Sequence, residues 1–547
     1  MNNPYHRLLL EAVPRILSHL DRDSTSPTYG CFDRNFWLYH LTDFPSAVLQ
    51  QNCWTLALLY THDFKGNVYY QNSQINVWAK AVVSFWAKIQ NKDGSFNEYW
   101  QGERGLPPTV FSVIAVAETI RLLHLEKEPI AKKYLEKLKT ACSFMERTPE
   151  AFASNQEVAA ACAIYSVYLL TEDSHLEQFF YQKLAGLKRL QSEEGFFYEQ
   201  SGADAGYLTV SLNYLGWLFN ELPETNPAKK EVKAMSEKAL NFLSYIIHPD
   251  GSLGGEYGSR NTEYLLPGGL MLLSSEFSLA KVILHQHGKY LFAEPRNFSV
   301  DDRYLLHYFG HSFALAALNH VEDKKKVSLP SLPFQETFIK HFPEAGLFIA
   351  GRQNLYLLIN LKKGGVFKLY SRNKLLANDL GYRIRDKSGK LYFSEFGHEK
   401  PAIKINEKRD KVEIEITKMF SPKEYLLMSP AKRFALYFFS AIFGWHFRSL
   451  VKEAVLKKEK KSPYLLIRRI ELSATELRIT DRVNGRKKDD MLLRVTSQSV
   501  KLIPSSKFFQ ITELENKIPA AFIPVSMREI ITEINLNKSK IKTNYSF

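Results

Sequence analysis

At 547 residues the chain is too long for one hydrophobic core, and two domains are the natural expectation. A composition of 45% hydrophobic and 24% charged residues is ordinary for a soluble globular protein, and four cysteines without CxxC spacing (Cys31, Cys53, Cys142, Cys162) argue against a disulfide scaffold or a zinc site. The net charge of +14 is divided unevenly: from Pro330 onward 41 Lys and Arg stand against 22 Asp and Glu, so that half is basic and the rest mildly acidic.

The opening MNNPYHRLLLEAVPRIL has neither a long apolar core nor a small-residue cleavage site, and no later stretch is long and apolar enough to span a bilayer. A reducing cytoplasm is therefore the expected location. Apolar residues then recur at helical spacing over Ala47–Thr61, Ile75–Ile89, Val110–Leu125, Tyr134–Met145, Val158–Leu170 and Phe179–Leu190. The pattern continues over Tyr207–Phe219, Val232–Ile247, Leu270–His285 and Tyr304–Leu318. Pro107-Pro108 is placed to open one helix and Asn155 to cap another.

A repeat punctuates these helices. Gln90-Asn91-Lys92-Asp93-Gly94-Ser95-Phe96-Asn97-Glu98, Gln191-Ser192-Glu193-Glu194-Gly195-Phe196-Phe197-Tyr198-Glu199 and the looser His248-Pro249-Asp250-Gly251-Ser252-Leu253-Gly254-Gly255-Glu256 each join two apolar segments through a glycine turn followed by an acid. Repeated α-hairpins of this kind predict an α/α toroid, complete or incomplete, whose turns gather at one end and face a shared cavity. An ordinary stack of helical repeats is the competing architecture.

At Val321-Glu322-Asp323-Lys324-Lys325-Lys326 the helical period stops, and Pro330 and Pro333 follow. The expected division is a toroid over 1–325 and a β-sandwich over 326–547. Leu355–Leu361, Val366–Tyr370, Val412–Ile416 and Glu476–Val483 show strand-like runs, separated by turn signals such as Lys362-Lys363-Gly364-Gly365 and Asn484-Gly485. The pattern toward Ile534 is less regular, and the polar tail Asn537–Phe547 reads as frayed.

This layout resembles that of the heparinase II/III-like polysaccharide lyases, most specifically from Ser154-Asn155-Gln156-Glu157 through Gly195-Phe196-Phe197-Tyr198-Glu199-Gln200-Ser201 to Asp204-Ala205-Gly206-Tyr207. The resemblance implies an enzyme that cleaves a uronate-containing glycan by β-elimination, with Asn155 and Tyr207 in its cleft. That family commonly has His beside the Asn, where this chain has Gln156. The Q-x-x-x-G-x-F element also resembles terpene-cyclase and prenyltransferase toroids, but no Asp-rich acid motif accompanies it.

β-Elimination needs donors to neutralise the uronate carboxylate, a base for the C5 proton and an acid for the leaving oxygen. Tyr207 and His311 are the candidate proton carriers, and Asn155 and Arg260 the candidate carboxylate donors. A core aromatic, a structural histidine, a plain helix cap and an internal Arg–Glu pair are the alternative roles. The wider binding set is Arg34, Trp37, Glu98, Arg104, Gln156, Glu199, Asp204, Glu256 and Asn261, which set charges and amides among aromatic faces suited to sugars. His398 and His446 are further histidines in the β half. Glu199 and Asp204 also permit general acid and base hydrolysis of a glycoside. No cofactor or metal is expected, the partner is an acidic oligo- or polysaccharide rather than nucleic acid, and a non-catalytic glycan-binding or scaffold protein of cell-surface polysaccharide synthesis is the rival reading.

Overall fold

The computed structural model describes residues 3–546 apart from 151–152, 201, 294–298, 321–328, 353, 398–399, 409–410, 424–428, 445, 448–449, 451–461, 496–509, 515 and 519. The helices are α1 (Pro4–Ser18), α2 (Arg34–Trp37), α3 (Asn52–Thr61), α4 (Ser73–Ile89), α5 (Leu106–Leu122), α6 (Ala131–Arg147), α7 (Ser154–Thr171) and α8 (Ser174–Leu190). They continue with α9 (Ala205–Glu221), α10 (Pro227–Ile246), α11 (Pro267–Leu273), α12 (Ser278–Leu291), α13 (Asp302–Tyr304) and α14 (Gly310–Asn319). A π-helical turn over Leu305–Phe309 joins the last two.

Helices α3, α5, α7, α9, α11 and α14 form an inner wall, each packed on the next, and α14 returns to α3. The ring therefore closes, so the incomplete toroid allowed by the sequence is not the observed form. Inner helices such as α5 and α7 are buried nearly all round, whereas the outer α4, α6, α8 and α10 bury one stripe, as their periodicity requires. The buried Glu118 of α5 ties three inner helices together: Arg121, Ser166 of α7 and Trp217 of α9 all donate to it.

The repeat explains the closure. Gly94, Gly195 and Gly251 all have positive φ, and a Cβ on them would stand 2.2 Å from Thr140 O, 2.2 Å from Lys238 O and 2.3 Å from Gln286 O. Each of those carbonyls lies on the next outer helix, so each turn rests on backbone where only glycine fits. The glutamine that opens the motif supplies the bolt: Gln90 Nε2 donates to Lys137 O at 2.8 Å, and Gln191 Nε2 to Met235 O at 2.9 Å. At the third copy the bolt is reversed, and Gln286 of α12 donates back to His248 O and Pro249 O. A fourth copy, unrecognised as a repeat in the sequence, is Gly30, with φ +91 and a Cβ position 2.3 Å from Ala81 O of α4.

Several boundaries differ from expectation. α1 was not expected; Asn3 caps it, and Tyr5, Leu9, Val13 and Ile16 bury its apolar stripe. The segment Leu270–His285 is broken at Ser274–Phe277, where the Ser274 hydroxyl turns back onto Met271 O. Helix α7 begins at Ser154, so Asn155 lies inside its first turn rather than capping it.

The expected domain boundary lies among residues outside those described. Beyond it come β1 (Phe338–Phe342), β2 (Leu347–Arg352), β3 (Leu355–Asn360), β4 (Val366–Ser371) and β5 (Lys374–Asp379), a meander in chain order. Then follow β6 (Tyr382–Arg385), β7 (Leu391–Phe393), β8 (Ala402–Lys408), β9 (Lys411–Met419), β10 (Ser421–Lys423), α15 (Pro430–Phe443), β11 (Leu465–Ser473), β12 (Glu476–Asn484), β13 (Met491–Arg494), β14 (Ala521–Ile523), β15 (Glu529–Asn535) and β16 (Lys540–Ser546). They build a second sheet in the order β10-β7-β6-β13-β14 and a third in the order β16-β15-β12-β11-β9-β8. The expected sandwich is thus made of three antiparallel sheets. Most of the tail read as frayed, Lys540–Ser546, is strand β16, paired along β15, and α15 is a helix the β-half pattern did not suggest.

The first sheet is covered on both faces. Tyr356, Leu358 and Tyr370 pack into the toroid core, while Phe348, Leu357 and Phe367 pack against Val412, Ile414 and Ile470 of the third sheet. Its strands consequently read as nearly continuous apolar runs rather than alternating ones. Inside the sandwich, Arg468 pairs in bidentate fashion with Asp481 at 2.7 and 2.8 Å and reaches Asp379 at 3.2 Å, and Arg494 pairs with Asp379 at 2.8 Å. Two cations against two anions leave this buried network neutral, which is what makes its desolvation tolerable.

The glycine turns give a direct test. Gly195→Ala should lower unfolding free energy by about 2 kcal/mol or more, since it adds both a positive-φ strain and a clash. Gly186→Ala, in the interior of α8 with nothing closer than 4.0 Å to the new carbon, should raise it by roughly 0.5–1 kcal/mol. Urea denaturation of both variants checks the contrast.

Candidate functional site at the rim of the ring

Two of the three repeat acids, Glu98 and Glu199, are buried and each meets a cation. Glu98, four residues after Gly94, pairs with Arg303 at 2.7 Å. Glu199, four residues after Gly195, lies 3.4 Å from Arg260 Nη1. In both cases the guanidinium also covers a tyrosine: Arg303 sits 5.2 Å above Tyr99 and Arg260 3.9 Å above Tyr207. Tyr264 and Tyr304 join the two groups, with ring centres 6.2 Å from Tyr207 to Tyr264 and 5.7 Å from Tyr264 to Tyr304. The result is two arginines, two glutamates and four tyrosine rings drawn from distant turns.

Asn155, Glu199, Arg260 and Tyr207 form the tighter half. The Asn155 backbone N–H and its Nδ2 both donate to Glu199 Oε1, at 2.9 and 2.6 Å. An amide, a backbone N–H and a guanidinium thus converge on one carboxylate, the donor set that a uronate carboxylate would need. In this structure Glu199 holds those donors. Burial raises the Glu199 carboxyl to about 7, against the opposing pull of Arg260 and Asn155, so it changes protonation near neutrality. Burial works against the charge of Arg260, but Tyr207, Glu199 and Asp204 outweigh it and keep the guanidinium charged. The Tyr207 phenol is pushed well above its ordinary value by burial, with Arg260 opposing, and is a proton donor at rest.

Asp204 has a different task from the one the hydrolase reading gave it. It caps α9 through Tyr207 N, and accepts from the backbone N–H groups of Arg260 and Thr262 and from the Thr262 hydroxyl. Its oxygens are occupied in shaping the Arg260 loop. That loop is also gripped from the β half. Lys363, in the turn between β3 and β4, donates to Gly258 O at 2.9 Å, Asn261 Oδ1 at 2.6 Å and Glu256 O. Asn360 Nδ2 donates to Tyr257 O at 2.6 Å. Glu256 and Asn261 therefore face the joint with the sandwich. Burial raises Glu395 to about 8, and the charge of Glu256 adds to it there.

His311 does not join the group. Its ring stacks on Trp54 at 5.0 Å inside the wall, and its neighbour on α9 is Tyr214, two helical turns beyond Tyr207. Burial lowers it to about 3, so it stays neutral. The π-helical turn instead directs His307 toward the tyrosines: it stacks on Tyr308 at 3.7 Å, lies 6.3 Å from Tyr304, and feels the charge of Arg303. No spacing in the sequence marks that turn.

The outlying residues divide. Arg104 pairs with Asp93 at 3.6 Å across the first glycine turn. Gln156 is half-buried beside Asn155, and its Oε1 has no hydrogen-bond partner. Trp37 is tied to the end of α1 by a 2.8 Å bond to His19 O, and Arg34 lies over Tyr39. His446 is exposed near the end of α15, and His398 lies outside the described residues. Among the described residues no three His, Cys, Asp or Glu side chains are grouped to hold a metal ion, and no helix is long and apolar enough to cross a membrane.

No protein-family model matches the chain, and no curated protein matches it in sequence. Among solved structures it is similar to a xanthan lyase of Paenibacillus, with 11% identity and a TM-score of 0.51 over 89% of this chain and 46% of that one. A heparinase III (12% identity, TM-score 0.46, 89% and 71% of the two chains) and a chondroitin AC lyase of Streptomyces coelicolor A3 (11%, 0.46, 90% and 91%) are also similar. The chain spans under half the length of the xanthan lyase. It shares the fold of that polysaccharide lyase over most of its own length.

The raised Glu199 carboxyl has a signed consequence. A folded value of about 7 above the ordinary 4.5 means the folded state binds the proton more tightly, so its contribution to stability is full below pH 4.5 and is lost as pH rises through 7. The stability difference between the wild type and Glu199→Gln should therefore fall by up to about 3 kcal/mol between pH 4.5 and 7.5 and level off above. Urea unfolding of both proteins across that range measures it.

Proposed function

We propose that the protein cleaves a uronate-containing glycan by β-elimination at the Asn155–Glu199–Arg260–Tyr207 group. The observation that carries this reading is the convergence of Asn155 and Arg260 on one carboxylate directly beside a phenol, with the guanidinium 3.9 Å above the Tyr207 ring. In the proposed complex the substrate carboxylate takes the place of the Glu199 carboxylate on Asn155 and Arg260. Neutralised by those donors, it makes the C5 proton more acidic. Glu199, displaced from those donors, accepts that proton, and Tyr207 gives its own to the leaving oxygen, so that a C4–O bond breaks as the C4–C5 double bond forms. Glu199 thus takes the part that His311 held in the sequence reading. Tyr99, the exposed ring of the group, offers an apolar face for a neighbouring sugar ring.

Non-catalytic glycan binding is the second reading, favoured by the occupation of both donors by an internal carboxylate. It would fit a scaffold of cell-surface polysaccharide synthesis. A cytoplasmic location would suit that role or the handling of imported oligosaccharide.

Incubation with acidic polysaccharides should produce the ultraviolet absorbance of unsaturated uronides. Tyr207→Phe should lower kcat about a hundredfold or more with KM little changed, and Arg260→Met should raise KM as well. Activity that persists in Tyr207→Phe would remove the phenol from the reaction. Saturable glycan binding without any unsaturated product would support the second reading.

A further inference from the structure

Helix α15 is at odds with its surroundings. It interrupts the β half, yet lies against the helical ring, held by Trp100 Nε1 to Ser440 Oγ at 2.8 Å and Tyr437 OH to Asp43 at 3.0 Å. Ser440 is its only buried residue. The rest of its surface carries Phe434 at 71% exposure, Phe438 at 51%, Phe439 at 40%, Ile442 at 57% and Phe443 at 53%, and Leu450 follows at 61%. Phe434, Phe438 and Ile442 recur every four residues, as do Phe439 and Phe443, so they form one continuous apolar face. Left in water, such a row is costly, and a folded protein keeps one where something covers it.

The charge says what covers it. From Pro430 to Lys452 the sequence contains Lys432, Arg433, Arg448 and Lys452 and no Asp or Glu. Lys457, Lys458, Lys460 and Lys461 come next, against only Glu453 and Glu459. Bulky aromatics along a helix whose flanking sequence is mainly basic are the composition of a helix lying in the headgroup layer of an anionic bilayer, where rings enter the acyl boundary and cations meet lipid phosphates. At 14 residues, with its other face bonded to the ring, α15 lies on a surface rather than spanning it.

We propose that α15 is an interfacial anchor that docks the protein on anionic lipid. Docking there sets the first glycine turn beside the membrane, because the Trp100 that holds α15 adjoins Tyr99 of the tyrosine group. Lipid binding by this face does not depend on any glycan in that group.

Sedimentation of the full chain with phosphatidylcholine vesicles, with and without phosphatidylglycerol, tests the anchor. Binding should require the anionic lipid and weaken as salt rises. Phe438→Asp with Ile442→Asp should weaken it about tenfold or more while leaving the urea midpoint unchanged, and Lys432→Glu with Arg433→Glu should remove most of its salt dependence. Phe434→Ser, at the most exposed ring, gives the same readout should the double change disturb folding. No binding to anionic vesicles overturns the proposal, as does binding that the variants leave intact. Self-association in sedimentation equilibrium that these variants abolish, without vesicle binding, would assign the face to a second copy of the chain and overturn it equally.

Discussion

A glycine carrying its turn onto the backbone of the next outer helix is the contact on which this molecule is built. At Gly30, Gly94, Gly195 and Gly251 the approach to a helical carbonyl is too close for a Cβ, and Gln90 and Gln191 bolt two of these turns to the same helices. Helix packing alone would permit several crossing angles and an open stack. A turn pressed on the following hairpin removes that freedom and brings the ring back on itself. The acids that follow the glycines then face inward at the rim, and Glu98 and Glu199 become the anionic ends of two arginine–tyrosine groups.

The sandwich completes what the ring begins. The Arg260 loop has little regular structure, and its shape comes from Asp204 on one side and Lys363 on the other. The Gly195 turn is fastened in the same way, for Glu194 accepts from the backbone N–H groups of Glu344 and Ala345 just before β2. The toroid supplies most of the candidate chemistry, while the β half fixes the position of one arginine. Burial then separates the protonation behaviour of the two central groups: the Glu199 carboxyl rises into the neutral range, and the Tyr207 phenol is kept protonated.

Much of this was legible in the residue order. Ten helical segments, the change of period near Pro330 and the three clearest glycine turns followed from apolar spacing and turn chemistry, which act over a few residues. Of the four residues expected to share a cleft, Asn155, Tyr207 and Arg260 lie together and His311 does not. The failures share one cause. His311 carries the chemistry expected of a proton carrier, but the Leu305–Phe309 π-helical turn points it at Trp54 and leaves His307 near the tyrosines. Asp204 looked like half of an acid–base pair and is saturated by its own loop. Asn155, read both as a helix cap and as a carboxylate donor, does not cap α7 and donates instead to Glu199. In each case the residue type was informative, and its partner lay tens of residues away.

By itself the sequence determined that this chain is a run of repeated α-hairpins followed by a β-rich, basic half, because hydrophobic period and glycine placement are local properties that each segment states for itself. Which cation meets which acid, which histidine faces the rim, and the exposure of an aromatic helix in the middle of the β half were decided only by the tertiary structure. Those outcomes depend on burial and on contacts between residues far apart in the chain, and neither quantity exists until the ring has closed against the sandwich.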